Sequence, residues 1–205
     1  MQYRLEDLGE IAGRFPDLEP GTERHLILIA ALPGAGKTTL ARELARQTGG
    51  VHFEIDEVKR AVVPGDRVAD EIDPPEYRYK YYAKAIGQLP QLFAQAPSHI
   101  VIIDEIFHLR KFRDMWRHAA KELNIHVHWV EVVCSDEVVK ERLCVGKGRE
   151  NHILGDKAFP MYLRFKEVFE PFKGPREVVD NTKDLAPQVK RILGKYGIQG
   201  QEMAL

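Results

Sequence analysis

Apolar and polar residues change period several times along the chain. Short apolar runs rich in branched residues predict five strands, at residues 25–31, 51–55, 99–105, 126–134 and 177–180. Between them apolar residues recur at helical spacing. Leu40, Ala41, Leu44 and Ala45 predict a helix over 37–48, stopped by Gly49-Gly50. Tyr79, Tyr82, Ile86, Leu89 and Phe93 form one stripe, which Pro90 should kink or split. Leu109, Phe112, Trp116, Ala119 and Leu123 form another, with Arg110, Arg113, Arg117 and Lys121 on the opposite, solvated face. Ser135 caps a helix facing inward through Val138, Val139 and Leu143. Further helices are expected near 157–170, with Met161, Tyr162, Phe165, Val168 and Phe169 inward, and at 185–195. Leu5, Leu8, Ala12 and Phe15 suggest a short N-terminal helix capping a sheet edge, and residues 196–205 read as frayed. Strands alternating with helices predict an α/β fold with a parallel sheet.

Between the first strand and its helix stands Ala31-Leu32-Pro33-Gly34-Ala35-Gly36-Lys37-Thr38-Thr39. This is a G-x-x-x-x-G-K-[ST] string with alanine at its first glycine, in the strand–loop–helix context a phosphate-binding loop requires. By composition such a string occurs in roughly one chain in a hundred of this length. Gly34 and Gly36 let successive N–H groups turn toward a phosphate, and the helix start adds its positive dipole end. Lys37 would reach the β- and γ-phosphates, and the Thr38 hydroxyl would hold Mg²⁺.

Acids end two of the other strands. The second strand runs into Asp56, and in parallel sheets ligands sit at such carboxyl ends. Asp56 is the candidate acceptor of a hydroxyl proton in phosphoryl transfer, or else a helix-capping residue. The third strand, His99-Ile100-Val101-Ile102-Ile103-Asp104-Glu105, reads as a buried central strand with Asp104 as a Mg²⁺ ligand. Glu105 stands as a water-orienting residue, a support for the site, or a solvent-facing acid.

Arg110 and Arg113, nearest the third strand's end, could reach an acceptor or phosphate. Two glycines around Lys147, then Arg149, suit a cationic lid over residues 144–158 that stabilises transferring charge and excludes water. Segment 75–82 interleaves tyrosines with Arg78 and Lys80, which suits a core face, an acceptor wall or a nucleic-acid stacking platform. The net charge of −1 argues against nucleic acid. The 205 residues suit one α/β domain, with residues 1–24 as an N-terminal cap segment. Cys134 and Cys144 show no CxxC spacing and suit a reducing, cytoplasmic setting. No run approaches a membrane span, no secretory leader is expected, and the histidines show no zinc pattern.

With these elements placed, the chain resembles the P-loop kinase-like group called AAA_33. Its relatives include polynucleotide 5′-kinase, zeta-toxin, chloramphenicol-phosphotransferase-like and gluconate-type kinases. The matching residues are Leu32 to Thr39, Asp56 with a basic residue three later, Ile102-Ile103-Asp104, Glu141-Arg142-Leu143 with Arg149 beyond, Phe169-Glu170-Pro171 and Val178-Val179-Asp180. The resemblance implies a three-layer sandwich with a five-stranded parallel sheet in the order 2-3-1-4-5. It also implies ATP with Mg²⁺, Asp56 as acceptor base, Arg142 and Arg149 as lid-side phosphate contacts, and Asn181 and Thr182 near adenine. Lys59 stands where relatives often carry arginine, and Glu105 after Asp104 is more typical of hydrolysing NTPases. The expected function is transfer of the γ-phosphate of ATP to a hydroxyl of a small molecule. An Asp104–Glu105 ATPase and a polynucleotide 5′-hydroxyl kinase are the alternatives.

Overall fold

The computed structural model describes residues 7–63, 74–145 and 158–200. Five parallel strands, β1 (His25–Ala30), β2 (Val51–Glu54), β3 (Ile100–Glu105), β4 (His126–Val133) and β5 (Glu177–Asp180), lie in the order β2-β3-β1-β4-β5. The helices are α1 (Leu8–Ala12), α2 (Lys37–Thr48), α3 (Ile55–Val62), α4 (Pro75–Gly87), α5 (Leu89–Ala94), α6 (Arg110–Glu122), α7 (Asp136–Val145), α8 (Ala158–Val168) and α9 (Leu185–Lys195). Among the described residues no helix is long and apolar enough to cross a membrane.

Strand periodicity divides the core. In β1, Leu26, Leu28 and Ala30 face a cluster under α4, α5 and α6 that holds Tyr81, Tyr82, Phe93, Phe107, Phe112, Trp116 and Trp129. The alternate residues Ile27 and Ile29 face an aliphatic cluster with Leu40, Leu44, Ile102, Val132, Val189 and Ile192, under α2 and α9. Ile29 is level with Asp104, and Ala30 with Glu105. The two acids therefore leave β3 on opposite faces of the sheet.

Several elements differ from the sequence expectation. β2 ends at Glu54, so Asp56 lies in the first turn of α3 and not at a strand end. The cause is packing: Ile55 and Val58, one helical turn apart, are both buried in the aromatic cluster. Pro90 does split its helix, sitting in the first turn of α5, where a missing N–H costs nothing. α1 buries Ile11, with Ala12 exposed, and packs against α6 instead of capping a sheet edge. Val168 stays exposed at the end of α8. Residues 196–200, directly after α9, are docked, with Ile198 buried and the Tyr196 hydroxyl donating to Trp129 O at 2.8 Å.

At the N-terminal ends of β1 and β4, His25, His126 and His128 share one face. His25 Nδ1 lies 3.0 Å from His128 Nε2, and His128 stacks on Tyr196. Burial, then the neighbouring His25 and His126, pushes His128 down to about 4.

Candidate active site

The glycine loop leaves β1 at Ala31 and enters α2 at Lys37. Gly34 and Gly36 take φ of 77° and 93°, backbone that side chains rarely adopt. A Cβ at Gly36 would fall 1.8 Å from Asn181 Nδ2, and one at Gly34 would fall 2.9 Å from Leu143 Cγ. Both positions are closed to side chains by conformation and by space. Pro33 and Ala35 are buried under the loop, Lys37 and Thr38 are half-buried at the helix start, and Thr39 is exposed. Leu40 N–H bonds Gly36 O at 3.2 Å, whereas the amides of Gly36, Lys37, Thr38 and Thr39 have no acceptor among the described residues. Those amides form the donor set expected at a helix start.

Two neighbours pin the loop from the β5 side. Asn181 Nδ2 donates to Ala35 O at 2.6 Å. Arg142 donates to Asn181 O at 3.2 Å and to Gly34 O at 3.5 Å. Thr182 instead turns back on Asp180, donating to its carboxylate from Oγ1 at 2.6 Å and from N–H at 3.1 Å. Arg149 and Lys147, with most of the expected lid, lie outside the described residues.

Across from the loop, Asp104 Oδ2 accepts from Thr38 Oγ1 at 2.7 Å. Asp104 Oδ1 lies 2.5 Å from His52 Nε2, which must carry the hydrogen because a carboxylate only accepts. Burial pushes the Asp104 pKa up, but the bonds from His52 and Thr38 and the Lys37 charge outweigh it and hold it low. His52 belongs to no sequence motif. It stands two residues before Glu54, the register partner of Asp104, so both share a face once β2 is paired with β3.

Asp56 is half-buried and its pKa is raised. Burial is the main cause, followed by Glu105 and, more weakly, Asp104, against the opposing charges of Lys37 and Lys59. Charged groups from three segments, Lys37 of α2, Lys59 of α3 itself, and Asp104 and Glu105 of β3, thus act on Asp56.

Glu105 does not face solvent. Its Oε1 accepts from Arg78 Nη1 at 2.9 Å, and Arg78 is only 1% exposed. The Arg78 guanidinium lies over the rings of Tyr81, Tyr82 and Phe165, at 5.6, 5.9 and 5.8 Å. Arg78, Tyr81, Tyr82 and Ala85 follow i, i+3, i+4, i+7 spacing and form the buried stripe of α4, whereas Tyr79 is only half-buried.

Arg113 is the other correction. It is fully buried and donates to four carbonyls: Phe107 at 2.7 Å, His108 at 3.2 Å, Glu170 at 2.8 Å and Pro171 at 3.3 Å. Its charge ties the β3–α6 turn to the Glu170-Pro171 segment and is spent on those carbonyls. Arg110 is exposed, with its own N–H on the Glu170 carboxylate. His108, buried beside both arginines, is driven down to about 3, mainly by burial and then by the Arg78 and Arg113 charges.

A parallel sheet in this order, with a glycine loop between its central strand and a helix, defines a P-loop kinase-like fold. The AAA_33 profile, described as an AAA domain, matches residues 26–159, and the chain belongs to that family. A sugar kinase from Janibacter sp. HTCC2649 shares the fold at 22% identity, over 86% of this chain and 96% of that one, with a TM-score of 0.61. A gluconokinase from Sinorhizobium meliloti 1021 does so at 20% identity, over 84% and 91%, with a TM-score of 0.60. The APS kinase CysC of Mycobacterium tuberculosis, solved in complex with AMPPNP and APS, matches at 13% identity over 85% and 98%, with a TM-score of 0.55. No curated protein matches the chain.

Proposed function

We propose that the chain works as one domain, an ATP-dependent phosphotransferase that moves the γ-phosphate to a hydroxyl of a small-molecule acceptor. The observation that carries this is Asp56, an acid of raised pKa within electrostatic reach of Lys37, Asp104 and Glu105. A carboxylate whose pKa is raised toward neutrality is a better proton acceptor than an exposed one.

The residues present fit ATP with Mg²⁺. The four amides of Gly36 to Thr39 without acceptors suit phosphate oxygens. Thr38 and Asp104 offer hard oxygen donors 2.7 Å apart, the donor type Mg²⁺ takes. When bound, the ion would neutralise charge on the β- and γ-phosphates.

The chain's own residues do the rest. Asp56 takes the acceptor's hydroxyl proton as that oxygen attacks the γ-phosphorus. The bond from phosphorus to the β–γ bridging oxygen breaks, and the electron pair leaves with ADP. Lys37 offsets the charge that develops. Arg142, at the loop's rim, and Arg149, from the lid segment, are proposed phosphate contacts. Asn181 and Thr182 are proposed on the adenine side. The compartment we propose is the cytoplasm, in keeping with Cys134 and Cys144 both being free.

The ATPase alternative needs Glu105 to orient water, and the Arg78 bond weighs against it. The polynucleotide alternative needs a stacking platform, and burial removes Tyr81, Tyr82 and Arg78 from one. An ADP-release screen over nucleosides, sugars, antibiotics and 5′-hydroxyl oligonucleotides tests the reading. ADP formation should require one acceptor class, and Asp56→Asn should lose it while still binding ATP. Turnover indifferent to every acceptor, and equal in Asp56→Asn, would sink the proposal.

A further inference from the structure

Asp104 has two oxygens, and they face different partners. Oδ2 meets the Thr38 hydroxyl at 2.7 Å, on the side of the glycine loop. Oδ1 meets His52 Nε2 at 2.5 Å, on the side of β2. The His52 side chain is 10% exposed and that of Asp104 is 4% exposed, so water competes little for either contact. Thr38 belongs to the sequence motif; His52 comes from a different strand and belongs to no motif.

We propose that His52 is a positioning residue for the metal-binding carboxylate. Its Nε2–H holds Oδ1, which fixes the rotation of the Asp104 carboxylate and leaves Oδ2 directed at Thr38 and at the ion those two oxygens suit. The inference rests on the ATP–Mg²⁺ reading above. The imidazole is a rigid donor carried on a strand paired to β3, with Glu54 level with Asp104. A rigid donor on a paired strand holds an acid more firmly than a flexible side chain on a loop, because little motion remains to be frozen. Outer donors of this kind, orienting a ligand through its free atom, change metal affinity about 10–100-fold when removed.

The alternative is that His52 merely fills space beside an acid. The two differ in what moves when the donor is lost. The readout is the affinity for a fluorescent ATP analogue, measured with Mg²⁺ and again with EDTA, in the whole chain. The wild type should bind more tightly with Mg²⁺. His52→Ala should lose about 10–100-fold of the Mg²⁺-dependent gain while its affinity in EDTA stays as in the wild type. His52→Gln, which places an amide N–H near the Nε2 position, should recover most of that gain. Should the alanine protein not fold, His52→Met serves in its place, keeping bulk without a donor. An unchanged Mg²⁺ gain in the donor-less protein overturns the role of His52 and leaves the ATP–Mg²⁺ reading standing. A glutamine variant as impaired as the alanine one, at the same melting temperature, also overturns it. A wild type whose affinity ignores Mg²⁺ overturns the ATP–Mg²⁺ reading and this inference together.

Discussion

The two faces of the sheet are built from different materials. Under α2 and α9 the core is aliphatic, and its polar business is confined to the strand ends, where Thr38, Asp104 and His52 meet. Under α4, α5 and α6 the core is aromatic and encloses two arginines, Arg78 and Arg113, and the neutral His108. Asp104 and Glu105 are adjacent in sequence, yet one serves each face. The first acid accepts from the Thr38 hydroxyl and the His52 imidazole and remains available. The second is consumed by a buried cation, at a desolvation cost that only a close partner offsets. Adjacent acids at a strand end therefore do not form a pair of equivalent ligands, because the pleat sends them into different environments.

The largest expected effect is on the acid between these faces. Asp56→Asn should lower acceptor-dependent turnover by about 10²–10⁴-fold. Wild-type activity should fall as pH drops through a value above the ordinary carboxylate range, because Asp56 must be ionised to accept a proton and its pKa is raised. The sign for stability is opposite. A folded pKa above the unfolded one penalises the charged form, so stability rises as pH falls through the folded pKa. Asp56→Asn should therefore melt no lower than the wild type. A marked drop in melting temperature would show Asp56 to be a structural cap.

Arg78→Met should cost about 3–5 kcal/mol in denaturant unfolding, since it strands the Glu105 charge in the aromatic core. Arg78→Met combined with Glu105→Leu should regain most of that loss. Equal losses in the single and double variants would break the contrast between the faces. On the other face, Lys37→Met should reduce turnover by about 10²–10³-fold with little change in unfolding.

The smallest effect separates the two buried histidines. Both have folded pKa values depressed from 6.5, to about 4 for His128 and about 3 for His108. Their contribution is fully present above 6.5 and is lost as pH falls toward those values. Each can add at most about 1.4 kcal/mol per pH unit to the slope of stability. His128→Asn should flatten the slope between 6.5 and 4, whereas His108→Asn should also flatten it below 4. Identical profiles for the two variants would contradict the assignment of the lower value to the aromatic face.

The aliphatic face was the more legible one. The glycine loop, the helix Lys37–Thr48, the strand Ile100–Glu105 and the helix Leu185–Lys195 all follow from local period and local punctuation. The aromatic face misled at its charges. Arg113 stands in a row with Arg110, Arg117 and Lys121, so spacing alone gave it a solvated face. It is buried because four carbonyls of two turns converge on it. Arg78 sits among tyrosines and lysines that look exposed, and only its i+3 and i+4 partners mark it as inward. His52 carried a signal visible only after pairing, through the register of Glu54 with Asp104. Tyr196 and Ile198 were hidden because a short tail shows no period, although it packs against β4 and α9.

By itself, then, the amino-acid sequence determined the strands and most helices, the glycine loop between the first strand and its helix, and the place of Asp104 in the third strand. Each depends on residues within a few positions of one another, where hydrophobic period, glycine conformation and capping act. The tertiary structure decided the partners of the charged groups: Thr38 and Asp104 are 66 residues apart, His52 and Asp104 are 52 apart, and Arg78 and Glu105 are 27 apart. A buried charge or a carboxylate's free oxygen is satisfied by whatever the fold brings within about 3 Å, and no local pattern encodes that distance.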